Sequence, residues 1–355
     1  MAAPAAFRQS AVLRKIDIHT HISTDAPYLR EVMDALNLKM FTICNEGLKV
    51  SRLVKQIEVA TEIVKSQPRY YAWATTFGFD RMYERDWASR VNAALTRDFD
   101  NGALAVKVWK EIGMQVTDPA GRLVQIDDPI FDPILDFIRQ QGKTLLAHIA
   151  DPVQRWLAAN PDGSNGNWYT EGATEVQNRV GAFRGQVSYN GMIRARDQML
   201  AKHPALRVVG CHLGSMEFDV DEVARRFDRF PNFAVETSAA MNFLMAQSRE
   251  KVRAFFIRYQ DRILYGADIS GGLIATRYLI DMSKLNERWT PQQVETEKTN
   301  LRRRYESDFA YYSTDQEFSR RDYSVRGLAL PDDVVRKLFY ANAVRWIPGI
   351  DKDFR

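Results

Sequence analysis

The chain has 355 residues but only two cysteines, Cys44 and Cys211, both in apolar runs that read as strands. Two distant cysteines make no disulfide framework. The reading is a reducing, cytoplasmic setting with buried thiols. No apolar run approaches the ~18–20 residues a membrane helix needs, so no membrane partner is expected. Met1 to Arg14 is alanine-rich but has no continuous apolar core before Arg8-Gln9-Ser10, and it reads as a loose leader, not a signal peptide. An excess of one charge is also missing, since 49 basic and 45 acidic residues leave +4. Nucleic-acid binding needs a clustered basic face, and the densest run, Arg302-Arg303-Arg304, reads as a solvated helix face. No glycine-rich phosphate loop follows the first strand, which weakens a dinucleotide-binding, doubly wound sheet.

What is present is an ordinary soluble composition, 45% hydrophobic and 26% charged, in which short β-like runs alternate with helical periodicity. The runs begin at Lys15, Met40, Tyr70, Ala103, Thr144, Leu206, Phe233 and Arg262. Helical spacing recurs between them, for example at Leu53, Ile57, Ala60 and Val64, and Gly142 suits a left-handed cap after the helix that ends at Gln140. Eight such runs point to a parallel sheet with crossover helices, and eight is the number that closes a (β/α)8 TIM barrel. An open doubly wound sheet is the runner-up. The expectation is one domain over residues 1–355, with its core at about 15–347. A long connection runs from Asp151 to about Asn190 and reads as a lid-like insertion after strand 5. The tail after Gly272 reads as a helical extension with no further strand.

The histidines fall in a pattern. His19 and His21 alternate along the end of strand 1, so they share one face, with Ile18 and Thr20 on the other. His148 ends strand 5, His212 ends strand 6 and Asp268 ends strand 8. The fifth histidine, His203, lies in a turn and is given no role. Singly, each reads as a packed or hydrogen-bonded core residue, and Asp268 as a cap for a following helix. Together they sit at the carboxyl ends of the strands, which in a barrel converge on one mouth. Three histidines and a carboxylate with room for water are what a catalytic metal site needs.

The segments Asp17-Ile18-His19-Thr20-His21, Leu146-Ala147-His148, Gly210-Cys211-His212-Leu213-Gly214 and Leu264-Tyr265-Gly266-Ala267-Asp268, in that order, resemble the amidohydrolase superfamily. The likeness is to the branch that includes aminocarboxymuconate-semialdehyde decarboxylase, and it extends into Leu330 to Ala343. It implies that His19, His21, His148 and Asp268 hold a divalent metal, one zinc ion with manganese as the alternative. His212 is then a catalytic residue beside the bound water, and Asp268 is also the general base.

Lys107 on strand 4 has three readings: a carboxylated bridge between two metals, as in binuclear relatives, a cation that binds a substrate anion, or a side chain reaching solvent. The second is preferred, with Trp109 beside it. Within the long connection Trp156, Trp168, Tyr169, Arg184, Tyr189 and Asn190 stand out, since aromatics and arginine suit a planar or carboxylated substrate. Arg184, Tyr189 and Asn190 are the substrate-binding candidates there. Arg196 is expected to pair with its neighbours on a helix surface, and the direction of Glu236 on strand 7 stays open. The expected function is metal-dependent hydrolysis of a small polar, carboxylated molecule. The rival is non-oxidative decarboxylation of an aromatic or unsaturated acid, and a metal-loaded binding protein is the third reading. A homodimer is expected only by analogy with other barrel enzymes.

Overall fold

The computed structural model describes residues 12–45, 47–153, 188–271, 290–320 and 323–354. Eight parallel strands run in sequence order around the sheet: β1 Lys15–Ile22, β2 Leu38–Ile43, β3 Tyr71–Thr75, β4 Ala103–Val108, β5 Thr144–Ala147, β6 Arg207–Gly210, β7 Phe233–Glu236 and β8 Ile263–Leu264. The eighth strand breaks at Asp268, which takes a left-handed φ of 53°. It resumes as β9, Ile269–Gly271, paired with β1. The Ile18 amide donates to the Tyr265 carbonyl (3.1 Å), bringing the ends of the sheet together. The architecture is the (β/α)8 TIM barrel.

Strands covered by helices on one side and by the barrel interior on the other are buried on both faces, and β2, β3 and β7 are buried throughout. The covering helices are α1 Pro27–Leu36, α2 Val50–Ser66, α3 Trp87–Asp100, α4 Asp132–Gln140, α5 Tyr189–Lys202, α6 Val220–Arg229 and α7 Arg249–Arg258. Gly142 follows α4 at φ 65°, the left-handed geometry expected of it. None of the described helices is long and apolar enough to cross a membrane.

The barrel interior is a buried cluster of Ile16, Ile18, Phe41, Ile43, Ala72, Ala74, Ala105, Leu146, Val209, Ala234 and Leu264, continued by Trp346, Ile347, Ile350 and Phe354 of the C-terminus. The C-terminus stoppers the end of the barrel where strands begin. Trp346 Nε1 donates to Asp261 O (2.9 Å), Asn342 Nδ2 to Ile263 O (2.7 Å) and Lys39 Nζ to Lys352 O (2.8 Å). With that end filled, the opposite end, where the strands finish, is left for a ligand.

One irregularity aims the site. Along β1, Asp17 pairs with Met40 but Thr20 pairs with Thr42, so β1 carries one extra residue. Ile16 and Ile18 point into the barrel, and strict alternation would therefore turn His19 and His21 toward the helices. The bulge resets the alternation, and both imidazoles face the mouth.

The tail differs from expectation. α8, Pro291–Ser313, opens with a capping box between Thr290 and Gln293. A two-stranded antiparallel hairpin follows, β10 Glu317–Arg320 with β11 Tyr323–Arg326, where no strand was expected. Its two four-residue strands are too short to stand out in a largely polar stretch, although Phe318 and Val325 pack against the core. The arginine run lies exposed on α8, as expected, and Arg304 also donates to Ala267 O (3.0 Å). α5 begins at Tyr189, so Tyr189 and Asn190 belong to a helix and not to a lid. The lid expectation, with Trp156, Trp168, Tyr169 and Arg184, falls on 154–187, outside the described residues.

Candidate metal centre and substrate cavity

At the carboxyl ends of the strands lies a cavity of about 330 Å³ lined by His19, His21, Lys107, Trp109, His148, His212 and Asp268, and also by Lys110, Asp151 and Glu217. Strand parity explains the lining. Lys107 follows Ala105, and His148 follows Leu146, at two-residue spacing along inward-facing rows.

Ligand atoms of His19, His21 and Asp268 all lie within 4.8 Å of one another. Asp268 Oδ1 is 3.6 Å from His19 Nε2 and 3.5 Å from His21 Nε2. Its side chain is 32% exposed at the mouth. Burial pushes its carboxyl up, but the imidazoles of His19, His21 and His212 outweigh that and hold it well below the usual carboxylate range. Two imidazoles and an ionised carboxylate are a donor set suited to a divalent cation such as zinc. His21 Nδ1 is buried without a hydrogen-bond partner among the described residues.

Behind His19 stands Glu236, whose direction the sequence left open. Its Oε1 accepts from His19 Nδ1 (2.8 Å), from the His212 amide (2.9 Å) and from Ser238 Oγ (2.7 Å), while Oε2 accepts from the Ser238 amide (2.5 Å). Burial would raise this carboxyl, and the His19 ring together with these donors brings it down to about 2. Burial, with the nearby Lys107 ammonium, lowers His19 to about 4. The pair at neutral pH is therefore a neutral imidazole donating Nδ1–H to a carboxylate. That tautomer leaves the Nε2 lone pair turned toward Asp268, the arrangement a metal-ligating histidine needs.

His212 sits in an unusual turn. His212, Leu213, Gly214 and Ser215 have φ of 54°, 51°, 68° and 61°, a left-handed turn in which only glycine is at ease. The turn is held from both sides. The Arg196 guanidinium donates to Gly214 O (2.5 Å), and Tyr189 OH donates to Ser215 O. It carries the His212 ring over the cavity with Nδ1 2.9 Å from Ser238 O, so Nδ1–H is donated there and Nε2 remains for the cavity. His148 lies edge-on to His212, ring centroids 4.4 Å apart. Burial first, then neighbouring positive groups, lowers it well below the usual imidazole value, so it is neutral as a ligand must be. It completes no three-ligand cluster within 4.8 Å among the described residues.

Lys107 is 1% exposed, and its Nζ lies 2.9 Å from Cys211 Sγ. The reading in which it reaches solvent is therefore wrong. Cys44 and Cys211 are both free and buried. Trp109 lines the cavity, and Lys110 packs over its ring (5.2 Å) while pairing with Asp151. Tyr189 and Asn190 do not line it: Tyr189 is buried beside Ser215 and Asn190 is exposed on the first turn of α5. Arg196 is also not where its charge suggested. It is fully buried, binds Asp197 Oδ1 (2.6 Å) and lies over the Phe233 ring (5.0 Å). The sequence reading missed Ser238, Lys110, Asp151 and Glu217. Only Glu217 left a signal, a lone carboxyl between Met216 and Phe218 just after the His212 turn.

The family model described as Amidohydrolase matches residues 16–348. The chain belongs to the amidohydrolase family. No curated protein sequence matches it. Among solved structures, the amidohydrolase barrel is similar to 2,6-dihydroxybenzoate decarboxylase from Rhizobium, with a TM-score of 0.52 at 13% identity over 95% of this chain and 99% of that one. The same values hold for that enzyme name in complex with 2,6-dihydroxybenzoate. A structure named amidohydrolase II gives 0.50 at 14% identity, covering 94% of this chain and 99% of that one. At such identities the likeness concerns the fold. An enzyme of the amidohydrolase superfamily with a candidate metal centre is the result.

Proposed function

We propose that this amidohydrolase hydrolyses a small polar, carboxylated substrate with the help of one divalent metal held by His19, His21, His148 and Asp268. The observation that carries the reading is the cluster of His19, His21 and Asp268 at the floor of a cavity that also holds His212 and Lys107. When bound, a divalent metal supplies Lewis acidity, polarising a carbonyl and acidifying water. The protein's own groups do the rest. Asp268, kept ionised, takes the proton of the attacking water as the new carbon–oxygen bond forms and returns it to the departing nitrogen or oxygen as that atom's bond to the carbonyl carbon breaks. His212 takes up a proton at Nε2 and, once protonated, hydrogen-bonds the oxygen that gains charge. Lys107 pairs with the substrate carboxylate, and Trp109 packs against the body of the substrate.

The second reading, favoured by the shared fold with 2,6-dihydroxybenzoate decarboxylase, is non-oxidative decarboxylation. In it the carbon–carboxylate bond breaks, CO2 leaves, and the carbon left with the electron pair takes the proton that His212 carries on Nε2 after taking one up from solvent. Manganese-loaded and zinc-loaded protein assayed on amides, lactones and hydroxybenzoates separates the two. Turnover of amides or lactones without CO2 supports hydrolysis. CO2 release from hydroxybenzoates alone replaces it with decarboxylation. Less than half an equivalent of metal per chain after incubation with zinc or manganese overturns both readings.

A further inference from the structure

Glu217 is a carboxyl group that neither reading uses. It is 1% exposed and lines the same cavity as the histidine cluster. Neither of its carboxyl oxygens has a hydrogen-bond partner among the described residues. Its backbone, by contrast, is pinned, because Gln247 Nε2 donates to its carbonyl (3.0 Å). A carboxyl buried this deeply, with no cation or side-chain donor among the described residues to stabilise its charge, keeps its proton, because burial outweighs what its own backbone amide supplies. Burial pushes it up to about 8, and the charge of Asp151 acts in the same direction. A protonated carboxyl has one O–H to donate.

The cations nearby do not answer it. Lys110 is engaged with Asp151, and Lys107 lies against Cys211. A donor with an uncommitted hydrogen on the wall of a small cavity is arranged for an acceptor that arrives from outside.

We propose that Glu217 is a substrate-binding residue, donating a hydrogen bond to an acceptor oxygen that the substrate carries in addition to its carboxylate, so that the cavity selects oxo-substituted acids over their apolar isosteres. The proposal rests on the reading of the cavity as a substrate site beside a metal centre. It requires no step beyond binding.

The test uses isosteric probes, the 2-, 3- and 4-acetylbenzoates against the matching ethylbenzoates, titrated by calorimetry into the full chain with and without manganese. Each pair differs only in a carbonyl where the other has a methylene. Wild type is expected to bind at least one acetylbenzoate about tenfold more tightly than its partner, the effect of one donor in a dry site. Glu217→Met, similar in volume and without a donor, is expected to erase that preference. Glu217→Gln keeps an N–H donor and retains most of it, which separates a substrate contact from a packing role. Equal or absent binding of every pair by wild type, or an unchanged preference in Glu217→Met, overturns the proposal. Manganese uptake without the preference sinks Glu217 and leaves the metal reading standing. The preference without manganese uptake does the reverse.

Discussion

Replacing Glu236 by glutamine probes the support of the metal centre more sharply than replacing a ligand, because it changes one atom beyond the cluster. The carboxylate accepts from His19 Nδ1 (2.8 Å), the His212 amide (2.9 Å), Ser238 Oγ (2.7 Å) and the Ser238 amide (2.5 Å). Each of these groups is a donor, so the amide nitrogen of glutamine must face a donor in either flip. Turned toward the Ser238 amide it leaves one buried N–H unmet, at about 1–3 kcal/mol. The His19 bond falls from charge-assisted to neutral, about 1 kcal/mol more. Turned the other way the amide confronts three donors, so the first flip prevails. The expected loss of stability is about 2–4 kcal/mol. His19 no longer has a carboxylate fixing its Nδ1–H tautomer, and metal affinity should fall about 10–100-fold, the range seen when the outer partner of a ligand is removed. Chelator-competition titrations with zinc and manganese read the affinity, and urea melts of the metal-free protein read the stability. Glu236→Asp keeps the charge and controls for it. If the glutamine variant binds metal within twofold of wild type while its stability drops, Glu236 only clips β7 to β1, and the argument that it orients His19 is wrong.

Gly266→Ala should damage the same support from the other side, since the added Cβ would lie 2.4 Å from Glu236 Oε2 and 3.0 Å from His19 Cβ. A loss of about 1–3 kcal/mol in urea melts is expected, with weaker metal uptake. Arg196→Met should cost about 1–3 kcal/mol by taking the donor from Asp197 Oδ1 and from the buried Gly214 carbonyl, while Arg226 still pairs with Asp197 Oδ2, and Arg196→Lys should recover little of it because lysine lacks the fork. Glu217 makes a pH prediction. Its folded value of about 8 is raised above the ordinary ~4.3, so the folded state holds the proton more tightly than the unfolded chain. The stability it contributes is complete below ~4.3 and is lost as pH rises toward 8, at up to ~1.4 kcal/mol per pH unit. Glu217→Gln lacks this slope, so its urea midpoint should gain on wild type steadily from pH 5 to 8, and parallel curves would show that Glu217 is ionised in the fold.

The residues that converge on the cavity were legible because strand ends in a barrel converge whatever the details of the strands. His19, His21, His148, Lys107 and Asp268 could be located from order alone. What was not legible has one physical root. A strand covered on both faces has no polar alternation to reveal which side is which, so the direction of Glu236 could not be decided. For the same reason the extra residue in β1 is invisible: Ile16-Asp17-Ile18-His19 alternates perfectly in sequence, and only the pairing of Asp17 with Met40 and Thr20 with Thr42 shows that the alternation is broken where the site needs it. Arg196 misled for a different reason. A charge on a helix is ordinarily solvated, and this one is drawn inward by acceptors, Gly214 O and Asp197, that come from the left-handed turn and from its own neighbour. The β10–β11 hairpin escaped because its strands are only four residues long and lie in a largely polar stretch, although Phe318 and Val325 pack against the core.

Glu236 and Glu217 show what decides the chemistry of a buried acid here. Both are 1% exposed, and burial pushes both upward. Burial therefore does not distinguish them. The donors do: Glu236 collects four hydrogen bonds and stays ionised, whereas Glu217 has none among the described residues and keeps its proton. Glu236 stands behind His19 and only Glu217 lines the cavity, so of the two only Glu217 presents its carboxyl to a ligand. Glu236 turns its charge inward, fixing the tautomer of His19, and Glu217 has no partner for its hydrogen among the described residues. The cavity therefore carries lone pairs on its histidines and Asp268 and a proton on Glu217. A substrate that brings its carboxylate to Lys107 and an acceptor oxygen to Glu217 meets a donor at each, and a molecule without the second oxygen leaves the buried Glu217 hydrogen unmet.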